Sequence, residues 1–206
     1  MENLTPAQMD GLAEVINIGV GRAASFLNDV IDAHITLEVP RVRLLPFEKL
    51  PQIGSEFGDD LVSCVVQTFQ ADYTGTAALV FPPESAARLV SAVTGEEITS
   101  AGLDAVRSGV LTEVGNIVIN AILGTMGNLL QTSLEFSLPE YRQIRIIEFM
   151  SPKSVDNQNG FIILAEASFE IETLRINSYL LLIFELTSID LLMSMIDNVT
   201  SDALPS

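Results

Sequence analysis

Between residues 5 and 31 the apolar positions recur at spacings of three and four, which is the period of a helix buried along one side. The apolar residues of this stripe are Met9, Leu12, Ile16, Val20, Ala23, Leu27 and Ile31. Thr5 can cap such a helix, Pro6 suits its first turn, and Gln8 occupies a capping-box position. The pattern therefore predicts a long helix that begins near residue 6.

A polar ridge is expected on the side of this helix opposite the apolar stripe. At about 100° per residue, four positions project in similar directions. They are Asp10, Glu14, Asn17 and Gly21. The helix should therefore display Glu14 and Asn17 together on an exposed face.

A second interpretation of the same stretch is a strand that runs into a dinucleotide-binding turn. Gly19, Gly21 and Ala24 match the G-x-G-x-x-A fingerprint, and Glu38 lies near the position of a ribose-binding acid. The alternation of apolar and polar residues that a strand requires is absent before Gly19. Spacing alone leaves the two interpretations open.

The chain repeats this stretch with an offset of 99 residues, so that 14–40 aligns with 113–139. The identical pairs are Glu14 and Glu113, Val15 and Val114, Asn17 and Asn116, Ile18 and Ile117, and Pro40 and Pro139. Gly19 and Gly21 become Val118 and Asn120, so the phosphate fingerprint is lost while the Glu/Asn pair stays. The repeat favours the helix and indicates an internal duplication. The two glycines should then allow close approach of a neighbouring helix or of a partner.

Both halves of the chain show the order helix, strands, helix. In the first half we expect strands at "ITLEV", "RVRLLP", "LVSCVVQTFQ" and "GTAALVF", a loop over 46–60, and a helix over about 83–93. In the second half we expect a helix over about 104–131, strands near "LEFSL", "QIRIIEF", "FIILAEASFEI" and "SYLLLIF", and a last helix from Thr187. The prediction is one α+β domain over 1–206, with pseudo-repeats over about 5–94 and 103–199. Its duplicated halves should form one antiparallel or mixed sheet with a pseudo-twofold axis, on which the two long motif helices lie.

Charge and composition exclude several classes of function. The net charge of −17, from 27 acidic and 10 basic residues, would repel nucleic acid and anionic lipid. Cys64 is the only cysteine and His34 the only histidine, so neither a disulfide nor a nitrogen- or sulfur-ligated metal site is expected. The longest aliphatic run, "YLLLIF", is too short to span a bilayer, and we expect a cytoplasmic protein with no membrane insertion.

A glutamate and an asparagine three residues apart on one helix face can act together on a bound partner. Asparagine does not titrate near neutrality, so it cannot be a general base, but it can orient a water molecule. The carboxylate can pair with a lysine or arginine of the partner and set its register. The pair suits a hydrolysis in which another molecule supplies most of the electrophilic groups.

These residues resemble the signature of the CheC phosphatases of bacterial and archaeal chemotaxis. That signature is Asp or Ser, three residues, Glu, two residues, Asn, twenty-two residues and Pro, and Asp10, Glu14, Asn17 and Pro40 match it in full. The second copy keeps Glu113, Asn116 and Pro139 but has Gly109 at the Asp/Ser position, with Ser108 one place early. The second site could be weaker for this reason, or the glycine could let the backbone adjust.

The resemblance implies a phosphatase that hydrolyses the aspartyl phosphate of a CheY-type response regulator in two-component chemotaxis signalling. It implies that Asn17 and Asn116 orient the attacking water and that Glu14 and Glu113 pair with the regulator's lysine. The Mg²⁺ would belong to the regulator, so the chain needs no metal or cofactor of its own. The receptor deamidase CheD is a further partner that the family implies.

A non-catalytic scaffold is the main rival, because the middle domain of the flagellar switch protein FliM shares the fold of this family. Retention of both Glu/Asn pairs argues against it, since a scaffold has no evident need for them. Pro40 and Pro139 are expected to fix the path of the chain rather than to touch substrate.

Overall fold

The structure is a computed structural model that describes residues 5–31, 35–49, 52, 54–55, 57–71, 74–95, 103–129, 131–149, 160–171, 174–185, 193 and 196. Within them the helices are α1 (Pro6–Ile31), α2 (Pro83–Thr94), α3 (Leu103–Leu129) and the short α4 (Ile146–Phe149), with a 3-10 turn at Phe47–Lys49. The strands are β1 (Ile35–Pro46), β2 (Leu61–Gln70), β3 (Thr74–Phe81), β4 (Glu135–Phe136), β5 (Glu140–Arg145), β6 (Gly160–Ile171) and β7 (Leu174–Glu185).

Helix α1 follows its sequence pattern closely. The Thr5 backbone N–H donates to Gln8 Oε1 at 2.8 Å, and the Gln8 N–H donates to Thr5 Oγ1 at 3.3 Å, which completes the capping box. The stripe residues Leu12, Ile16, Val20, Ala23 and Leu27 are buried, and Met9 packs against the same core. The side chain of Ile31 lies outside the described residues. The strand and dinucleotide-turn interpretation of 14–24 is wrong, because this stretch is continuous helix.

The sheet joins the strands in the order β1-β6-β7-β3-β2, and both β4 and β5 pair with the outer edge of β2. Each of these pairings is antiparallel, which resolves the choice between an antiparallel and a mixed sheet. The prediction of an α+β fold with a single sheet is confirmed.

The strand order interleaves the two predicted repeats. The first-half strand β1 pairs with β6, the second-half strand β5 pairs with β2, and β3 and β7 meet at the centre. If β1 is exchanged with β5, β6 with β2 and β7 with β3, the order of these six strands across the sheet therefore stays the same. The duplication itself stays a prediction.

Both motif prolines lie where an outer strand changes register. In β1 the pairing with β6 shifts between Glu38 and Arg41, around Pro40, and the expected strands "ITLEV" and "RVRLLP" are one strand. Pro139 lies between β4 and β5, which pair separately with β2. An outer strand tolerates the missing N–H of proline, and a bulge tolerates it best.

The expected strand "QIRIIEF" is wrong over its second part, because β5 ends at Arg145 and Ile146–Phe149 is helical. Ile146 and Phe149 are buried three residues apart, which is helical spacing. Arg145 and Glu148 form an exposed ion pair on the same turn, at 2.9 Å.

Part of the expected loop 46–60 also forms short helical turns. Of the expected last helix only residues 193 and 196 are described, and both are helical.

The two faces of the sheet have separate cores. The helical face buries α1, α2 and α3 against inward side chains of β2, β3, β6 and β7, including Phe69, Phe81 and Phe169. The opposite face holds a smaller cluster around Cys64, Val80 and Leu164.

By length and composition alone, residues Ala105–Leu129 of α3 could cross a membrane, yet half of that window is buried inside the protein. Burial against the sheet and α1 accounts for the apolar character of this helix.

Candidate functional site

Helices α1 and α3 pack directly on one another and present the two polar ridges. A β-carbon at Gly19 would lie 2.7 Å from the Cα of Ile122, so the helix axes approach as closely as a glycine permits. Arg22 Nη1 donates to Thr125 Oγ1 at 3.1 Å across the same contact. Of the two explanations expected for Gly19, packing against a neighbouring helix is therefore correct.

The first ridge, formed by Asp10, Glu14, Asn17 and Gly21, is exposed along its whole length. Within the described part of the chain, Asp10, Glu14 and Asn17 form no side-chain hydrogen bond or ion pair. A β-carbon at Gly21 would meet no atom within 4 Å. Packing inside the protein therefore does not explain this glycine, and close approach of a partner stays a prediction. The ridge offers a free carboxylate and a free carboxamide about 5 to 6 Å apart at their β-carbons.

The second ridge, formed by Gly109, Glu113, Asn116 and Asn120, differs in exposure. Gly109 and Glu113 are exposed, but Asn116 and Asn120 are half-buried. The Ser108 hydroxyl donates to the carbonyl of Ala105 at 3.0 Å, so it is engaged within its own helix. The position that corresponds to Asp10 is Gly109, which has no carboxylate.

Asn116 belongs to a hydrogen-bonded cluster beneath the second ridge. Its Oδ1 accepts from Asn120 Nδ2 at 2.8 Å and from Gln67 Nε2 at 3.4 Å. Gln67 Nε2 also approaches Asn120 Oδ1 at 3.4 Å and donates to the carbonyl of Ser137 at 3.2 Å. Gln67 is only 2% exposed, and its Oε1 is buried with no partner among the described residues.

Around the first ridge, the positions that correspond to Gln67 and Asn120 carry no polar side chain. The strand residues that follow the two prolines pair as Arg41 with Glu166 and Glu140 with Val66. Glu166 is therefore the counterpart of Val66, and Ala167 is the counterpart of Gln67. Asn120 corresponds to Gly21 through the repeat. Around the first ridge, the two partners of Asn116 are thus replaced by an alanine and a glycine.

Gln67 and Asn120 were not among the residues that the sequence singled out. A signal for Gln67 was present, because it takes an inward position of β2 between the buried apolar residues Val65 and Phe69. Asn120 stands one helical turn after Asn116, where two carboxamides can meet.

An apolar groove of about 320 Å³ lies beside the second ridge. Its lining residues are Leu27, Val30, Val93, Gly109, Val110, Glu113, Val114 and Ile117. The exposed carboxylate of Glu113 stands at the edge of an otherwise apolar surface. Among the described residues, no group of three or more His, Cys, Asp or Glu side chains could hold a metal ion.

Comparison with known proteins gives relatives both by sequence and by structure. Over 138 residues the chain is 33% identical to the CheY-P phosphatase CheC of Bacillus subtilis, a match that covers 65% of each protein. The matched part thus spans somewhat less than two thirds of that relative's length. No family model matches the chain.

Among solved structures, FliY of Thermotoga maritima superposes with a TM-score of 0.75 at 22% identity, over 97% of this chain and 99% of that one. The FliM middle domain of H. pylori superposes with a TM-score of 0.61 at 11% identity, over 95% and 99% of the two chains. A CheX-CheY-BeF3-Mg²⁺ complex of Borrelia burgdorferi gives a TM-score of 0.52 at 16% identity, over 84% and 99%. The chain is thus similar in sequence to CheC over 65% of its length, and it shares its fold with FliY.

Proposed function

We propose that this protein is a phosphatase that hydrolyses the aspartyl phosphate of a CheY-type response regulator, with its catalytic groups on the two helical ridges. The observation that carries the proposal is the exposed first ridge, on which Glu14 and Asn17 stand side by side with no partner among the described residues. The match to a CheY-P phosphatase and the fold shared with a CheX that forms a complex with CheY support the choice of substrate.

In the proposed reaction Asn17 orients water without taking its proton. The Oδ1 atom accepts a hydrogen bond from the water, which turns a lone pair of the water oxygen towards phosphorus. A bond forms between that oxygen and phosphorus while the bond from phosphorus to the aspartyl oxygen breaks. The aspartate leaves as a carboxylate, and phosphate and one proton pass to solvent. Positioning of this kind can supply about 3 kcal/mol, or roughly a hundredfold.

Glu14 is proposed to pair with a lysine of the regulator and so to fix the position of Asn17 over the phosphoryl group. Asp10, one turn earlier on the same face, adds a second negative charge to this contact. Mg²⁺ is proposed to come with the regulator. Glu113 and Asn116 form the corresponding pair on α3, while Pro40 and Pro139 shape the outer strands.

The test is the decay of a CheY-type regulator from the same organism, phosphorylated with a small acyl-phosphate donor. The wild-type protein should accelerate decay, and the double variant N17A/N116A should return the decay to the rate of the regulator alone. Asn28 offers a control on α1, because its carboxamide accepts from the Ile35 N–H and lies about three helical turns beyond Asn17. Full acceleration by the double variant would contradict the proposed roles.

A non-catalytic scaffold of the chemotaxis or flagellar switch apparatus is the second candidate, and the fold shared with the FliM middle domain favours it. A scaffold would bind its partner without changing the decay of the phosphorylated regulator. Turnover of excess phosphorylated regulator distinguishes the two, because only a phosphatase releases many phosphates per molecule. A cytoplasmic location and an interaction with CheD remain further predictions.

A further inference from the structure

We propose that Gln67 is a positioning residue that holds the second-site asparagine with its carboxamide oxygen occupied, so that the first ridge supplies most of the activity. This inference rests on the proposed function. The hydrogen bonds among Gln67, Asn116 and Asn120 can be observed whether or not the protein is a phosphatase.

The reaction requires one particular atom of each asparagine. A water that attacks phosphorus must direct a lone pair at it, so the water needs acceptors for its hydrogens. The useful atom of each asparagine is therefore Oδ1. In Asn116 this oxygen already accepts from Asn120 Nδ2 at 2.8 Å and from Gln67 Nε2 at 3.4 Å. An amide oxygen has two lone pairs, so a water must compete for the place of one donor.

Gln67 cannot release Asn116 by a simple flip of its amide. Its Nε2 donates to the carbonyl of Ser137, and a flipped amide would place two oxygens against each other there. Ser137 immediately precedes the proline region between β4 and β5, and it is fixed to β2 by two hydrogen bonds with Thr68. Two successive hydrogen bonds through Gln67 thus link Ser137, two residues before the second motif proline, to Asn116.

The first ridge lacks this restraint for a definable reason. Ala167 occupies the position that corresponds to Gln67, and Gly21 occupies the position that corresponds to Asn120. Neither side chain can donate a hydrogen bond. Asn17 is exposed and Asn116 is half-buried, in agreement with this difference.

The decisive variant is Gln67→Met in a protein whose first site is removed, N17A/Q67M. Methionine has a similar length and no hydrogen-bonding amide, and it also removes the unpartnered Oε1, so the fold should be retained. Loss of a competing hydrogen bond should raise phosphatase activity roughly fivefold over N17A. Activity should be lost in N17A/Q67M/N116A, which would show that Asn116 and no other group carries the increase.

The reverse change offers a matched test on the first ridge. In the N116A background, Gly21→Asn places a carboxamide one turn after Asn17, and the open space at Gly21 can hold it. Activity should fall by about half or more relative to Gly21→Ala, which adds bulk without a donor. Equal or lower activity of N17A/Q67M compared with N17A, or equal activity of the two Gly21 variants, would overturn the proposal.

NMR separates this proposal from the proposed function. Side-chain amide protons of Gln67 should exchange with solvent much more slowly than those of an exposed glutamine such as Gln143, and the Asn116 side-chain signals should shift in Q67M. Slow exchange with no phosphatase activity in any variant would reject the proposed function but retain the hydrogen-bonded cluster. Fast exchange of the Gln67 amide would reject the cluster and with it this inference.

Discussion

Gly19 on α1 lies against Ile122 on α3 so closely that a β-carbon at position 19 would come within 2.7 Å of the Ile122 Cα. The obstacle is backbone, which cannot rotate away as a side chain can. Gly19→Ala should therefore separate the helices locally and lower the free energy of unfolding by about 1–3 kcal/mol. Urea unfolding followed by circular dichroism measures this difference.

Gly21 provides the matched control for that measurement, because a β-carbon there would meet nothing within 4 Å. Gly21→Ala replaces a glycine in the middle of an exposed helix face, so it should raise the free energy of unfolding by about 0.5–1 kcal/mol. If Gly19→Ala and Gly21→Ala changed stability in the same direction, the close contact of the two helices would be contradicted.

The two ridges should contribute unequally to activity. If Asn116 works about fivefold more slowly than Asn17, then N17A should lower the acceleration of regulator decay about sixfold. N116A should lower it by less than about 1.5-fold, because the first ridge is intact. Single-turnover decay of the phosphorylated regulator measures both. A larger loss in N116A than in N17A would show that the restrained asparagine is the more effective one.

Gly115 fixes the distance between α3 and the sheet. A β-carbon there would lie 2.5 Å from Cβ of Val65 on β2, in the turn that also carries Glu113 and Asn116. Gly115→Ala should lower the free energy of unfolding by about 1–3 kcal/mol. The double variant G115A/V65G removes the Val65 β-carbon together with its methyl groups, so its loss of stability should be smaller than the sum of the two single losses. If the double variant lost as much stability as the sum of the losses in the two single variants, direct contact between residues 115 and 65 would be contradicted.

Cys64 should make the protein sensitive to alkaline pH. Burial raises the pKa of this thiol from 9.0 to about 12, against the opposing effect of the Arg142 guanidinium. Between these values the unfolded chain has lost the proton while the folded protein retains it. The contribution of the Cys64 thiol to the free energy of unfolding is therefore fully present below about pH 9 and is lost as the pH rises towards 12.

At about pH 10.5 the loss should reach roughly 2 kcal/mol relative to about pH 8. Urea unfolding of wild type and Cys64→Ala at both pH values isolates the thiol, because the other titrating groups are common to both proteins. Parallel pH dependence of the two proteins would contradict the shifted pKa. In the native protein a thiol reagent at neutral pH should react slowly, at a rate limited by unfolding.

The long helices and the buried strands could be predicted from the sequence because their burial follows a simple period. Helix α1 has one apolar stripe, one cap and one polar ridge, and all three features lie within a single element. The ends of the outer strands could not be predicted in this way. Ile146 and Phe149 suit a strand by composition, but the chain turns into a helix there to bury both in the smaller core.

The exposure of the candidate site residues was predictable as far as it depends on one helix at a time. Exposure of Glu14 and Asn17 follows from helical spacing alone. The restraint on Asn116 does not, because Gln67 is 49 residues away in the sequence and meets it only through the register of β2 beneath α3. The β1 bulge at Pro40 likewise depends on pairing with β6, which no local pattern specifies.

The pairing of β1 with β6 has a consequence for how the chain reaches its native state. Ile35 is in register with Ile171, so one border of the sheet cannot close until the ribosome has released most of the polypeptide. Contacts between such distant segments slow the folding of a domain, since a long loop must close before they form. Nascent chains arrested before residue 160 should therefore remain sensitive to protease, and neither half expressed alone should fold cooperatively.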